Sequence, residues 1–321
     1  MKLSVVILSL ASLVFAASLR TFEQQPLPAA QSGFDLDLNA FRLIQLEGRA
    51  PEWIELKALG FKFFDITENQ DLGNGIQSPT RVKSSFPSPN ATEKVTPILK
   101  TLSTQGPKEN LEKFTSFRTR LSADTTLAVS GADDDGSGSV TILEAYRALL
   151  AADYRPVRTL EFHWYSAEEG GLLGSQAVAQ DYAANSVNVI AMSQFDMTAW
   201  VKRGTREEAG DYGFCIIIDY VDPDLTKFNM ELVDLYMDIP FVQTQCGYAC
   251  SDHASWRKAG YATHNPISLR RITESSFENS NKNIHSANDR IDISDEFSFE
   301  HMLEFSKLAV AFAVELGGYT D

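Results

Sequence analysis

The chain has 321 residues, of which 44% are apolar, so it is long enough to bury the core of a globular α/β domain. Its 43 acidic and 28 basic residues give a formal net charge of −15. This excess of negative charge argues against nucleic acid and anionic membranes as binding partners. The charge does not by itself identify a substrate.

The first 17 residues have the pattern of a secretory signal peptide. Lys2 precedes an apolar run from Leu3 to Ala17, which ends in small residues and is too short to span a bilayer as a mature helix. We therefore expect residues 1–17 to be removed and the mature protein to be extracellular.

The next segment, residues 18–74, carries scattered charges and an amphipathic stretch from Trp53 to Leu59. Its composition allows either a small accessory domain or a pro-region. The sequence Asn90-Ala91-Thr92 is an N-glycosylation acceptor in a secreted chain. Residues 75–321, about 245 in number, are within the usual size of one α/β domain.

Strand and helix patterns alternate from Gly131 onward, after two short helices predicted at 95–102 and 109–117. The alternation predicts a mainly parallel sheet with helices on both faces. Strands are predicted at 159–165, 187–195 and 214–220, and helices at 172–182, 225–237 and 300–316. An apolar stripe at helical spacing predicts a buried helix face formed by Ile142, Tyr146, Leu149 and Leu150.

Acidic residues follow two of the predicted strands. Glu168 and Glu169 come after the strand at 159–165, and Asp196 ends the apolar run that begins at Val187. Ligands bind beyond the carboxyl ends of strands in open α/β sheets, so chemistry is expected there. The alternative for the glutamate pair is a solvated helix start, stabilised by the helix dipole.

The segment Gly131–Gly138 places three consecutive aspartates between glycines, which is costly without a cation. An EF-hand loop aligned on Gly136 would have Gly131 and Ile142 at its first and twelfth ligand positions, so that reading is excluded. A further candidate ligand is His285. Carboxylates and an imidazole on loops at one sheet edge indicate zinc, and several acids indicate more than one ion.

The chain has three cysteines, an odd number for a secreted protein. Cys246 and Cys250 either form a bridge across a tight loop or bind zinc together with His253. Thiols usually pair in an oxidising compartment, which makes the zinc reading the less favoured one. Cys215 lies in a predicted strand and is interpreted as a small buried hydrophobic residue.

Five motifs, in this order, resemble those of the secreted two-zinc aminopeptidases of the fungal leucine aminopeptidase type. The motifs are GADDDGSGS at 131–139, EFHWYSAEEGGLLGSQA at 161–177, QFDMTAW at 194–200, CGYACSDHASW at 246–256 and NKNIHS at 281–286. The resemblance covers most of the chain from Gly131 to the C-terminus. It implies the α/β fold of zinc exopeptidases, a mixed and mainly parallel sheet between helices. It also implies a monomeric enzyme that cleaves N-terminal residues from peptides, and it makes 18–74 a pro-region removed on maturation.

The resemblance also implies roles for individual residues. Asp134 would bridge two zinc ions, Glu169 and His285 would complete the first zinc site, and Asp196 would hold the second ion. Glu168 would be the general base. A disulfide between Cys246 and Cys250 is implied as well.

One departure from the family pattern is large. The family's remaining zinc ligand is a histidine in a GAH-x-D segment upstream of the aspartates, whereas none of the five histidines of this chain precedes Asp134. Only ten residues separate Arg120 from Gly131, where the resemblance implies a helix, two strands and the histidine loop. We therefore expect a fold without these elements and a weakened second zinc site.

Three readings follow from this departure. The chain is a metallo-aminopeptidase, or it is an impaired or inactive peptidase-like protein, or it is an incomplete gene model of the active enzyme. A weaker reading keeps the fold and changes the reaction to carboxypeptidase or cyclase chemistry, because a fold does not fix function.

Overall fold

The computed structural model describes residues 86–117, 131–201, 213–264 and 281–320, together with the backbone of four short strands at 21–24, 42–45, 63–65 and 266–268. The predicted signal peptide, the amphipathic stretch at 53–59 and the shortened segment at 121–130 lie outside the described residues. Those predictions, including the missing strands and helix, therefore stay predictions.

Seven α-helices and eight strands are described in these parts of the chain. The helices are α1 (Thr92–Leu99), α2 (Gln105–Thr115), α3 (Gly138–Ala151), α4 (Leu173–Ala184), α5 (Pro223–Tyr236), α6 (His253–Lys258) and α7 (Phe299–Gly317). The strands are β1 (Thr21–Gln24), β2 (Arg42–Gln45), β3 (Phe63–Asp65), β4 (Met192–Ser193), β5 (Phe214–Ile217), β6 (Phe241–Thr244), β7 (Thr263–His264) and β8 (Pro266–Ser268). No helix among the described residues is long and apolar enough to cross a bilayer.

The strands form three small sheets. In the segment predicted as a pro-region, β1 pairs antiparallel with both β2 and β3. Further along, β4 pairs parallel with β7, and β5 lies between parallel β6 and antiparallel β8. The predicted mixed α/β architecture is confirmed, although the described part of the sheet is divided into two pieces.

The core is organised around α7, which packs against α1, α3 and α5. Phe305 of α7 is fully buried, with its ring centroid 4.5 Å from that of Phe214 on β5. The helix begins where the Ser298 hydroxyl accepts a hydrogen bond from the His301 amide. In the same way, Asp222 and Pro223 start α5. The predicted helices at 172–182, 225–237 and 300–316 are confirmed to within a few residues.

The predicted strand at 159–165 is wrong. This segment has no strand pairing, and its side chains are only partly covered, with Trp164 49% exposed. Its backbone N–H groups make no backbone hydrogen bond to any described residue, whereas Arg158 just before it bonds to Gly317. A strand requires a neighbouring strand, and none of the described strands lies beside this one. The predicted strand at 187–195 likewise shrinks to Met192–Ser193.

The prediction of a fully buried face on α3 is also wrong in part. Leu149 is buried and Ile142 is partly buried, but Tyr146 is 42% exposed and Leu150 is 61% exposed. The Tyr146 ring contacts Phe162 of the unpaired segment. The exposed side chains of α3 therefore face the region where the predicted strand does not form a sheet.

Candidate metal centre

The three aspartates lie on an irregular turn, Ala132–Ser137, that leads into α3. Gly131 has a left-handed backbone, and its carbonyl accepts a hydrogen bond from the Gly136 amide. The peptide bond between Asp134 and Asp135 is cis. At Gly138 a Cβ atom would lie 2.2 Å from the Phe195 carbonyl oxygen, so only glycine lets this turn approach the Asp196 segment so closely.

Two of the three aspartates accept hydrogen bonds that stabilise the turn. The buried carboxylate of Asp133 accepts hydrogen bonds from the Ala199 amide at 3.0 Å and from the Asn281 side chain at 3.0 Å. Asp135 accepts from the amides of Gly138 and Met197. Both carboxylates therefore connect the turn to neighbouring loops, and Asp134 is the aspartate whose side chain joins a cluster of ligands.

Asp134, Glu169 and His285 converge, as the sequence predicts. His285 Nε2 lies 2.9 Å from Asp134 Oδ2 and 2.6 Å from Glu169 Oε1. Ligand atoms from all three side chains lie within 4.8 Å of one another. Two carboxylates and one imidazole are a usual set of protein ligands for catalytic zinc. We call this group the first metal position.

The charges of the first metal position favour a cation between these side chains. Burial, and then the charge of Glu169, raises the pKa of Asp134. Partial burial alone would lower the pKa of His285, but hydrogen bonds to Asp134 and Glu169 outweigh it and raise that pKa to about 10. Two adjacent carboxylates thus require positive charge between them, which a divalent ion supplies.

Asp196 is close enough to Asp134 for their charges to interact, and we call Asp134 and Asp196 the second metal position. Ser251 Oγ donates a hydrogen bond to Asp196 Oδ2 at 2.6 Å, while the buried Oδ1 has no hydrogen-bond partner among the described residues. Burial, and then the charge of Asp134, raises the pKa of Asp196 well above its usual range. A buried carboxylate oxygen without a donor fits a cation as its ligand.

The loops that carry the candidate residues contain strained backbone conformations. Ala167, Met197 and His285, none of which is glycine, have φ angles of 57°, 55° and 57°. Ala167 directly precedes Glu168, Met197 directly follows Asp196, and His285 is itself a candidate ligand. Left-handed residues of this kind cost on the order of 1–3 kcal/mol and persist where the surrounding structure fixes them, as at active sites.

Glu168 lies in the turn between the unpaired segment and α4. Its carbonyl oxygen accepts hydrogen bonds from the amides of Gly171 and Leu172, which fixes the turn that carries both glutamates.

Tyr248, which the sequence reasoning missed, lies near the carboxylates of Glu168 and Glu169. Burial, and then the charges of Glu168 and Glu169, raises the pKa of the Tyr248 phenol, so the group stays protonated. Its position between the two cysteines of the CGYAC motif is the signal that could have identified it.

The described side chains of the other histidines are not ligands in this arrangement. His163 is hydrogen-bonded to Tyr165 and Glu161, each at 2.9 Å. His253 is fully buried, and burial lowers its pKa to about 3. Burial likewise lowers the pKa of His301, to about 4. The structural rather than ligating interpretation of His253 is therefore supported by its surroundings.

The predicted disulfide between Cys246 and Cys250 is present, and Cys215 is buried on β5. The disulfide loop is held by Asp219, whose two carboxylate oxygens accept hydrogen bonds from the amides of Cys246 and Gly247.

The predicted glycosylation acceptor, Asn90, is exposed at the surface just before α1. Exposure is required of a residue that carries a glycan.

Asp134, Glu168, Glu169 and Asp196 line a cavity of about 880 Å³. The rest of its wall is mixed, and its apolar part includes Leu160, Phe162, Ile190 and Phe312. A cavity that combines a few convergent polar groups with apolar wall residues is typical of a binding site.

The chain is similar in sequence to known proteins over most of its length. A model described as Peptidase family M28 matches residues 120–310. Leucine aminopeptidase 1 of Colletotrichum graminicola is 37% identical over 361 residues, which cover 87% of this chain and 86% of that protein. Leucine aminopeptidase 1 of Coccidioides posadasii is 36% identical over 375 residues, with 92% of each chain covered.

Two solved structures share the fold. The LapA aminopeptidase of Legionella pneumophila superimposes with a TM-score of 0.73 at 24% identity, covering 95% of this chain and all of that one. LapB of the same organism has a TM-score of 0.72 at 23% identity, covering 94% of this chain and 99% of that one. At this level of identity the superposition supports the fold class alone.

Proposed function

This chain belongs to peptidase family M28, and from that premise we propose that it is a secreted zinc aminopeptidase that prefers leucine-like N-terminal residues. Membership makes it a hydrolase acting on peptide bonds and makes zinc its expected metal. The leucine preference rests on the names of the fungal relatives, and secretion rests on the leader at residues 1–17. In this proposal residues 18–74 are removed on maturation and Asn90 carries a glycan.

The convergence of Asp134, Glu169 and His285 is the observation on which the proposal depends. Each comes from a different loop, and His285 Nε2 lies within hydrogen-bonding distance of both carboxylates. Three protein ligands that leave the remaining coordination open are the arrangement of catalytic zinc sites. We assign these residues to the first ion and Asp196, with the shared Asp134, to the second.

Zinc bound there would polarise the scissile carbonyl and lower the pKa of a water molecule. Glu168 is the general base in this proposal, because the turn places it next to Glu169 while leaving its own carboxylate outside the ligand set. It would accept the proton of the attacking water and deliver it to the leaving amine. Tyr248, whose phenol stays protonated because burial and the charges of Glu168 and Glu169 raise its pKa, would donate a hydrogen bond near these carboxylates.

The second metal position would restrict cleavage to the N-terminal residue of a peptide substrate. Asp196 and Asp134 would hold the second ion and, with it, the free amino group of the substrate. The apolar part of the cavity wall, which includes Phe162 and Ile190, would accept an aliphatic side chain. An N-terminal leucine has both the free amino group and the aliphatic side chain that this arrangement would bind.

A second candidate function is a peptidase-like protein with reduced or absent activity. None of the five histidines precedes Asp134. The alignment with the Colletotrichum protein spans 361 positions, yet 87% of this chain is about 280 residues, so about 80 positions have no counterpart here. A gap of that size accommodates the block of structure that carries a further ligand in the resemblance.

Hydrolysis by the purified, zinc-loaded chain separates these candidates. We expect release of leucine from a chromogenic leucine amide, no release from its N-acetylated form, and loss of activity with a chelator that zinc reverses. Equal cleavage of the acetylated substrate would contradict aminopeptidase action. A folded, zinc-loaded chain without turnover would establish the second candidate.

A further inference from the structure

Asp289 lies on the same loop as His285 and is 1% exposed. Its carboxylate accepts two hydrogen bonds from consecutive backbone amides, Asp133 N to Oδ1 at 2.9 Å and Asp134 N to Oδ2 at 3.0 Å. The Ala132 amide donates to the Asp289 carbonyl oxygen at 3.0 Å. Three successive N–H groups of the aspartate turn therefore donate hydrogen bonds to Asp289, which lies 156 positions after Asp133 in the sequence.

These bonds connect the loops that carry two ligands of the first metal position. One loop holds Asp134, and the other holds His285 four residues before Asp289. Asp289 makes its own turn rigid as well, since its amide donates to the Ser286 carbonyl at 3.1 Å. The carboxylates of Asp133 and Asp135 connect the aspartate turn to the loop at 197–199, and Asp133 also accepts a hydrogen bond from the Asn281 side chain at 3.0 Å. Asn281 thus bonds to a neighbour of the ligand, whereas Asp289 bonds to the backbone amide of Asp134 itself.

We propose that Asp289 is a positioning residue that sets the distance between Asp134 and His285 before a metal ion binds. Charge-assisted hydrogen bonds to backbone amides are short and directional, so they fix the turn more firmly than neutral bonds would. A site whose ligands are held in advance binds its ion without first ordering two loops. The inference rests on the proposed ligand set of Asp134, Glu169 and His285, and it adds a residue that contacts neither ion nor substrate.

The test is the substitution Asp289→Asn, which keeps the shape of the side chain. The new NH2 group replaces one acceptor oxygen and faces a backbone N–H, so one of the two amides loses its bond. We expect the affinity for the first zinc ion to fall by about 10–100-fold, the range for residues that orient metal ligands. Amide exchange at Asp133 and Asp134 in the zinc-free protein is expected to become faster.

Asp222→Ala is the control for general destabilisation, because Asp222 Oδ1 accepts hydrogen bonds from the backbone amides of Asp224 at 3.1 Å and Leu225 at 3.0 Å at the start of α5, and alanine removes this cap. We expect this variant to lose thermal stability while keeping its zinc affinity. If Asp289→Asn does not fold, Asp289→Ser serves in its place, because it leaves both amides without the carboxylate and introduces no opposing donor.

Several results would overturn the inference. One is a folded Asp289 variant with the zinc affinity and amide exchange of the unchanged protein. Another is an equal loss of zinc affinity in Asp222→Ala, which would reduce the effect to general destabilisation. If the unchanged protein binds no zinc, the proposed function fails separately. Amide exchange at Asp133 and Asp134 still decides the role of Asp289 in that case.

Discussion

The two metal positions share Asp134 but differ in what surrounds it. In the first metal position an imidazole lies between two carboxylates, with short contacts to both. In the second, Asp134 and Asp196 are both acidic, and one oxygen of Asp196 has no donor among the described residues. The described residues therefore supply three protein ligands to the first position and two to the second.

This difference shows how a metal site depends on several separate segments of a chain. Asp134, Glu169, Asp196 and His285 come from four separate segments of the chain. Catalytic zinc usually has three protein ligands, so the first position meets that number by itself. The second would need a ligand from a segment outside the described residues or from solvent.

The largest effect is expected from Glu168→Gln. Because Glu168 is proposed as the base and not as a ligand, turnover of a leucine amide should fall by about 10²–10⁴-fold, while both metal positions keep their zinc. Kinetics together with metal analysis of the same sample measure this. Glu161→Gln is the control, since Glu161 lines the same cavity but is hydrogen-bonded to His163 and Tyr182. Unchanged turnover in the Glu168 variant would remove its assignment as the base.

His285→Ala tests the first metal position directly. Its loss removes a ligand rather than a residue that orients one, so zinc affinity should fall by more than the roughly 10–100-fold typical of orienting residues. The control is His163→Ala, which removes an imidazole that lines the same cavity but is hydrogen-bonded to Tyr165 and Glu161. Calorimetric titration with zinc compares the two. Equal losses in both variants would show that His163 takes part in binding.

Asp196→Asn should have the smallest effect on the tightly bound ion. The substitution retains the size of the side chain and affects only the second metal position, so the first zinc should bind as before and the second should be lost. Asp238→Asn, which removes an exposed carboxylate paired with Lys307, is the control. Loss of the tight ion in the Asp196 variant would mean that the two positions are a single coupled site.

The sequence predicted the helices well, because the apolar repeat of a helix such as α7 is a local pattern. The convergence of Asp134, Glu169 and His285 was expected from the resemblance of their motifs to those of a known family. The strand at 159–165 was predicted from its β-branched and aromatic residues, but a strand also requires a partner at its edge. Tyr146 of α3, whose ring contacts Phe162 of this segment, is likewise exposed.

Asp289 and Tyr248 were missed for a different reason. Asp289 acts through hydrogen bonds to residues 155 and 156 positions earlier in the chain, which no local pattern reveals. Tyr248 lies near Glu168 and Glu169 only because the disulfide loop folds over their turn. Aspartate and tyrosine are common in loops, so residue type alone did not single out either one.

Titration of the purified chain with zinc, following bound metal per chain, tests the central claim most directly. We predict one tightly bound equivalent, lost in His285→Ala, and a second that binds much more weakly and is lost in Asp196→Asn. Two equally tight equivalents in the unchanged chain would contradict this account, because the second metal position would then have a ligand that we have not assigned. The absence of any tight equivalent would contradict the assignment of the first.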